Sequence, residues 1–171
     1  AMPEPPHVVV SGSNLGQNLG IPIASEVSGT VGDAVTANRL GIPAIALSNG
    51  LGSNPQYGTA ANVAVVWITF FRDSYIDGTA AATTLNVNIP TCPTGRLRGV
   101  KFLPLGYASR VTAYTLNSGT IGNGTLQPTV ATQNPVATPN CTSTLANPTN
   151  DIEAFNNGFA TVTGLDPDLN S

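Results

Sequence analysis

Residues 6–48 read PHVVVSGSNLGQNLGIPIASEVSGTVGDAVTANRLGIPAIALS, and the reading of this stretch decides the fold. His7 to Val10 is a short run rich in β-branched residues and reads as a buried parallel strand. Pro5-Pro6 ahead of it bars an earlier helix. Ser11 to Gly20 is a Gly/Asn-rich loop. Thr30-Val31-Gly32-Asp33 has a capping-box-like order, hydroxyl then carboxylate three residues on. The helix it opens runs to about Leu40, where Gly41 and Pro43 end it. Ala44 to Leu47 is a second buried strand. Strand, loop, helix and strand in this order make a βαβ unit, and such units take ligands outside the carboxyl ends of their strands.

Outward from this unit, Asn49 to Gln56 is loop. Tyr57 to Phe71 has no Gly or Pro after Gly58 and is apolar nearly all round. Its β-branched residues permit a strand, but its length favours a buried helix. Asp73 to Ala82 is a linker. Leu85 to Ile89 is a strand with Asn86 and Asn88 on one face. Arg98 to Leu105 is another strand, and Arg110 to Leu116 pairs with it as an arm. Residues 117–149 show little periodicity and are too many for an ordinary loop, so they form an extended excursion. Gly158 to Gly164 is a last strand. The expected fold is α/β, a mostly parallel Rossmann-like sheet in one domain over 1–171, with a loop-rich β-hairpin extension over 106–149.

The composition narrows the class. Charged residues are 9% of the 171, against roughly 25% in ordinary domains. Gly, Pro, Asn, Thr and Ser fill the gap, as in loop-rich secreted or periplasmic proteins. The net charge is −3 with no basic run, so a nucleic-acid polymer is not the expected partner. No apolar run reaches the ~18 residues of a membrane span. Ala1-Met2 reads as an expression remnant, and no signal-peptide pattern begins the chain. Cys92 and Cys141 are either two buried thiols or one bridge, and the export-like composition favours the bridge. Asn123-Gly124-Thr125 and Asn140-Cys141-Thr142 match the acceptor pattern for Asn-linked glycosylation, a pattern frequent by chance in Asn/Thr-rich sequence.

Several residues carry chemistry by their type and place. Ser28, Gly29 and Thr30 put free amides and two hydroxyls at a helix start, which suits an anion without any lysine. An ordinary helix cap is the plainer explanation of the same residues. Asp33, one turn in, opposes an anion there unless it points away. Asn14 and Asn18 suit a Gly-rich turn held by side-chain to backbone bonds. The single histidine, His7, lies at the far end of its strand from the loop, which argues against a Ser-His-Asp triad on Ser11. Glu26, Asp33 and Asp151 are the carboxylates of a second reading, an ester or glycoside hydrolase, though the sequence does not fix their separation; a third reading is a non-catalytic anion-binding or structural fragment.

The chain also resembles the SurE family, the metal-dependent 5′-nucleotidases and acid phosphatases. The motif S-G-x-N-x-G-x-N-x-G stands complete at Ser11 to Gly20. S-G-T-V follows at Ser28 to Val31, and G-x-P-A-x-A-x-S at Gly41 to Ser48. LNVNIP (Leu85 to Pro90) and the segment from Asp151 to Phe159 agree in order. The SGTVG wording and the cysteine-bearing loops resemble the secreted fungal-type branch. The resemblance implies a phosphoric monoester hydrolase acting on nucleotides or small phosphoesters. It implies that Asn14 is a metal ligand through its side-chain oxygen, with Mg or Mn as the metal. It implies that Ser11, Gly12, Asn18, Ser28, Gly29 and Thr30 hold phosphate. The family's N-D-D-G strand, whose aspartates bind the metal, has no counterpart here, and no Asp-Asp pair occurs in the chain. The chain therefore reads as the second part of such a domain, with metal binding weakened. The strand at Val8 to Val10 then has an uncovered edge, and a homodimer or higher oligomer is the expected partner state.

Overall fold

The computed structural model describes residues 3–21, 28–107, 111–118, 125–130 and 138–166. The elements in chain order are β1 (Val9–Leu15), α1 (Gly29–Arg39), β2 (Ala44–Asn49), α2 (Tyr57–Phe70), α3 (Arg72–Ile76), β3 (Thr84–Ile89), β4 (Val100–Phe102), β5 (Val111–Ser118), β6 (Thr125–Val130), α4 (Asp151–Asn156) and β7 (Ala160–Leu165). The main sheet has the order β1-β2-β3-β7-β4. The β1–β2, β2–β3 and β4–β7 pairs are parallel, and β7 runs antiparallel to β3. β5 and β6 form a separate antiparallel hairpin. The expected α/β class, the mostly parallel sheet and the hairpin are all present.

Side-chain alternation along the strands divides the core between two faces. Ile45, Leu47, Val87, Ile89 and Val162 pack on Ala60 and Ala64 of α2. On the other face Ala44 and Ala46 meet Val31, Ala34 and Val35 of α1, with Leu165 beside them. The small residues on both partners let α1 lie close to the strands. The α1 face changes character along its length. Toward the carboxyl ends of the parallel strands it becomes polar, with Ser48, Asn86, Asn88, Thr161 and Thr163 all buried.

Several expectations need correction. The stretch from Ser11 to Leu15 is strand, not loop, and β1 begins at Val9. The register shifts between Ser11 and Asn14, where Gly12 takes φ +109° and a Cβ would lie 2.2 Å from the Leu47 carbonyl oxygen. Only glycine lets the strand continue past that carbonyl. The cap of α1 is Ser28, whose Oγ accepts from Val31 N, and not Thr30. α2 is a helix as expected but is not buried. Val65 is 61%, Val66 69% and Phe70 80% exposed, because one helix on a sheet buries only its i, i+4 stripe. The linker after Phe71 contains α3, one short turn too brief to show periodicity. β5 pairs with β6 rather than with β4, and β4 is only Val100–Phe102.

The Cys92–Cys141 bridge is present, with Cα atoms 5.7 Å apart across a separation of 49 residues. It ties the segment before α4 to the end of β3. Thiol titration of unreduced, unfolded protein is expected to find no free thiol. Reduction is expected to cost about 4 kcal/mol, the chain-entropy value for a loop of this length, read from the shift of a urea transition. Among the described residues no helix is long and apolar enough to cross a membrane.

Candidate active site at the carboxyl end of the parallel strands

β1, β2 and β3 all end at one edge of the sheet, and α1 begins at that edge. Asn14 sits on the last turn of β1, in register with Ser48 of β2. Its Nδ2 donates to the Gly16 carbonyl at 2.8 Å. That bond turns the amide so that Oδ1 is left without a donor among the described residues. Gly16 N donates to Asn49 O at 2.8 Å, which closes the end of the strand. Asn49 Nδ2 in turn donates to Ser13 Oγ.

From Gly16 the chain crosses the carboxyl ends of β2 and β3, anchored by Asn18. Asn88 Oδ1 accepts from Asn18 N at 2.7 Å. Asn18 O accepts from Asn86 Nδ2 at 2.7 Å and from Asn88 Nδ2 at 3.1 Å. Asn18 Nδ2 donates to Ser48 Oγ at 2.8 Å. Asn18 is buried, and its backbone N–H, its carbonyl and its side-chain nitrogen are all bonded to the strands. Gly20 N then donates to Asp151 Oδ2 at 2.8 Å, and Ile21 N to Gly106 O at 2.8 Å.

Asp151 lies at the start of α4 and is fully buried. Its Oδ1 accepts from Gly106 N at 2.6 Å and from Ile152 N at 2.9 Å. Burial pushes its pKa up, and the amide bonds from Gly106, Gly20 and Ile152 oppose the shift. Both oxygens serve to join the Asn18–Gly20 segment, the loop after β4 and α4. Asp33 is exposed on α1 and faces away from the buried side formed by Val31, Ala34 and Val35. Glu26 lies outside the described residues. The paired carboxylates expected for ester or glycoside hydrolysis are thus not brought together among the described residues.

At the start of α1, Ser28 Oγ accepts from Val31 N at 3.1 Å and Ser28 O from Gly32 N at 2.8 Å. Among the described residues nothing accepts from the amides of Gly29 and Thr30, at the positive end of the helix. Gly29 is exposed, and a Cβ there would meet nothing within 4 Å. Gly12, by contrast, has its free side against the Leu47 carbonyl, where it serves the strand. His7 lies at the opposite end of β1, beside Glu4, Pro43 and Tyr75.

Mg²⁺ and Mn²⁺ require several oxygens, carboxylates among them. Asn14 Oδ1 is one neutral oxygen, and among the described residues no cluster of His, Cys, Asp or Glu completes a site. These residues alone do not fit the metal, and no step is derived through it. Sequence reasoning did not find the supporting roles of Asn86, Asn88 and Ser48. The alternation in LNVNIP, which places Asn86 and Asn88 on one otherwise buried face, was the signal.

The mostly parallel sheet flanked by helices, with a helix start and Asn14 at its carboxyl edge, defines an α/β protein. The model of the family described as Survival protein SurE matches residues 1–113, and the chain belongs to the SurE family. It is 32% identical over 174 residues to the 5'-nucleotidase SurE of Halorhodospira halophila, covering 97% of this chain and 61% of that protein. It is 39% identical to the corresponding protein of Marinomonas over 106 residues, 62% of this chain and 40% of the relative. The crystal structure of the SurE protein from Aquifex aeolicus superposes with a TM-score of 0.63 at 28% identity, covering 98% of this chain and 62% of that one. The chain therefore spans between about two fifths and three fifths of the length of these relatives.

Proposed function

We propose that this chain carries the phosphate-holding part of a phosphoric monoester hydrolase acting on nucleotides or small phosphoesters. The observation that supports this most is the open pair of amides at Gly29 and Thr30, at the same edge of the sheet as the free Oδ1 of Asn14. The relatives named as 5'-nucleotidases favour the same substrate class. In this reading the Gly29 and Thr30 amides and the Thr30 hydroxyl donate to phosphate oxygens. Gly29 lets the anion approach the backbone, and the helix dipole favours its charge. Asn14 orients a group opposite the phosphate through Oδ1. Ser11, Gly12 and Asn18 shape this edge, Asn18 from within the fold and Gly12 at its surface.

The experiment is calorimetric titration with inorganic phosphate, run beside an assay of phosphate release from a nucleoside 5′-monophosphate with and without added Mn²⁺. Because Ser28 is the cap, Thr30→Val leaves the helix start intact. It is expected to weaken phosphate binding by roughly tenfold or more, the value of a charge-assisted hydrogen bond. Equal affinity in the two proteins would overturn the anion site. Phosphate binding without release would leave an anion-binding protein in place of a hydrolase.

We also propose a secreted or periplasmic location, supported by the disulfide and the low charge. The SGTVG wording and the cysteine-bearing loops support the secreted fungal-type branch. A homodimer is proposed from the surface. Among the described residues nothing pairs with the outer edge of β1, and α2 shows Val65, Val66 and Phe70 to solvent. Light scattering after size exclusion is expected to give twice the chain mass. A folded monomer at low micromolar concentration would refute the dimer.

A further inference from the structure

The tripeptide Asn140-Cys141-Thr142 is held in one geometry at the surface. Asn140 and Thr142 are exposed, while Cys141 between them is buried in its bridge to Cys92. Asn140 Oδ1 accepts from Thr142 N at 3.1 Å and from Thr142 Oγ1 at 2.8 Å. Its Nδ2 donates to nothing among the described residues. The oxygen of the amide is thus engaged by the threonine two residues on, and the nitrogen is free at an exposed position. The backbone beneath is fixed, since Asn140 N donates to Asn156 O at 2.8 Å and Ser143 N to Asn140 O at 3.2 Å.

We propose that Asn140 is an acceptor for Asn-linked glycosylation, with a lipid-diphosphate-linked oligosaccharide as donor. Nδ2 attacks the anomeric carbon of the first sugar, and the new bond is C–N. The bond from that carbon to the diphosphate oxygen breaks, the lipid diphosphate leaves with the electron pair, and one Nδ2 proton passes to a base of the transferase. Three features support the assignment: the Asn-x-Thr pattern, the free and exposed nitrogen, and a disulfide that requires an oxidising compartment. A glycan here projects from the surface and displaces no core contact. The inference is independent of phosphate chemistry. It requires only that the chain pass through an exported route, which the test imposes.

The full chain, with a secretion signal fused and Asn123→Gln removing the other match, is expressed in a eukaryotic cell. Protein is recovered from lumen and medium and mapped by mass spectrometry, before and after peptide-N-glycosidase in heavy-oxygen water. The expected result is a glycan on the Asn140 peptide, converted by the enzyme to a heavy-oxygen-labelled Asp. Thr142→Val is expected to bring occupancy down to background, while Thr142→Ser retains it. An unmodified Asn140 peptide in chains whose Cys92–Cys141 bridge has closed would overturn the proposal. Modification that survives Thr142→Val would overturn it as well.

Discussion

Asp151→Ala is expected to lower stability by about 2–6 kcal/mol, because it orphans the amides of Gly20 and Gly106, each costing about 1–3 kcal/mol when buried without a partner. These bonds, 2.8 and 2.6 Å long, close separations of 131 and 45 residues. Among the described residues no other charged group joins the Asn18–Gly20 segment to α4. Urea unfolding followed by fluorescence of the single Trp67 measures the loss as a lower midpoint at an unchanged slope. Asp151→Asn separates shape from charge. An amide nitrogen facing Gly20 N or Gly106 N sets two donors against each other, so Asn is expected to recover only part of the loss.

Asp151 also sets a pH dependence whose sign is unusual for a hydrogen-bonded carboxylate. Burial raises its pKa above the ordinary 3.8 despite the three amide bonds. The folded state then holds the proton more tightly than the unfolded state. The resulting stabilisation is fully present below the unfolded value and is lost as pH rises through the folded value. The stability difference between wild type and Asp151→Asn is therefore expected to shrink as pH rises from 3.8. A difference that instead grows with pH would show that the amide bonds outweigh burial.

Asn88→Leu is expected to have the second large effect, and to show it in function as well as stability. Leucine keeps the branching and heavy-atom count of asparagine but leaves Asn18 N without an acceptor and removes one of two donors to Asn18 O. The cost is about 2–4 kcal/mol, one orphaned donor plus one lost bond. Among the described residues the segment from Gly16 to Gly20 is then held to β3 by Asn86 alone, and the position of the neighbouring Asn14 loosens with it. Misplacement of a site by about 1 Å costs on the order of a hundredfold in rate. Phosphate release, if this chain performs it, should therefore fall far more than the folded fraction does. Amide hydrogen exchange at Asn18 gives the structural readout. Protection at Asn18 equal to wild type would mean that another group holds the segment.

The residues that made the fold legible are those with strong local preference. The β-branched run at Val8 to Val10, Ser28 before a helical stretch, and Gly41-Ile42-Pro43 after it lead to the βαβ unit. The alternation in Leu85 to Ile89 leads to a strand with asparagines on one face. α3, α4 and β4 were poorly legible because three to six residues carry too little periodicity to outweigh loop-like composition. The outward face of α2 was misread for a different reason. Hydrophobicity reports what a side chain prefers, and one sheet face has room for only one stripe of a helix.

For the site, the sequence by itself determined that a Gly/Asn-rich segment and a Ser-Gly-Thr helix start stand near one end of a parallel sheet. It also determined that Cys92 and Cys141 were the available bridge. Only the tertiary structure decided what each polar group does. Asn14 and Asn18 are alike in the motif, yet Asn14 makes one local bond to Gly16 O, while Asn18 is buried and gives its backbone N–H, its carbonyl and its Nδ2 to Ser48, Asn86 and Asn88. Asp151 is acidic in sequence, but in the fold it is a buried acceptor joining three segments. Gly12 reads as a phosphate-loop glycine, but it is the point where β1 passes the Leu47 carbonyl. The physical reason is common to all of them. A polar side chain has several affordable partners in an unfolded chain, and burial, which sequence does not display, leaves it only those that the packed strands bring within about 3 Å.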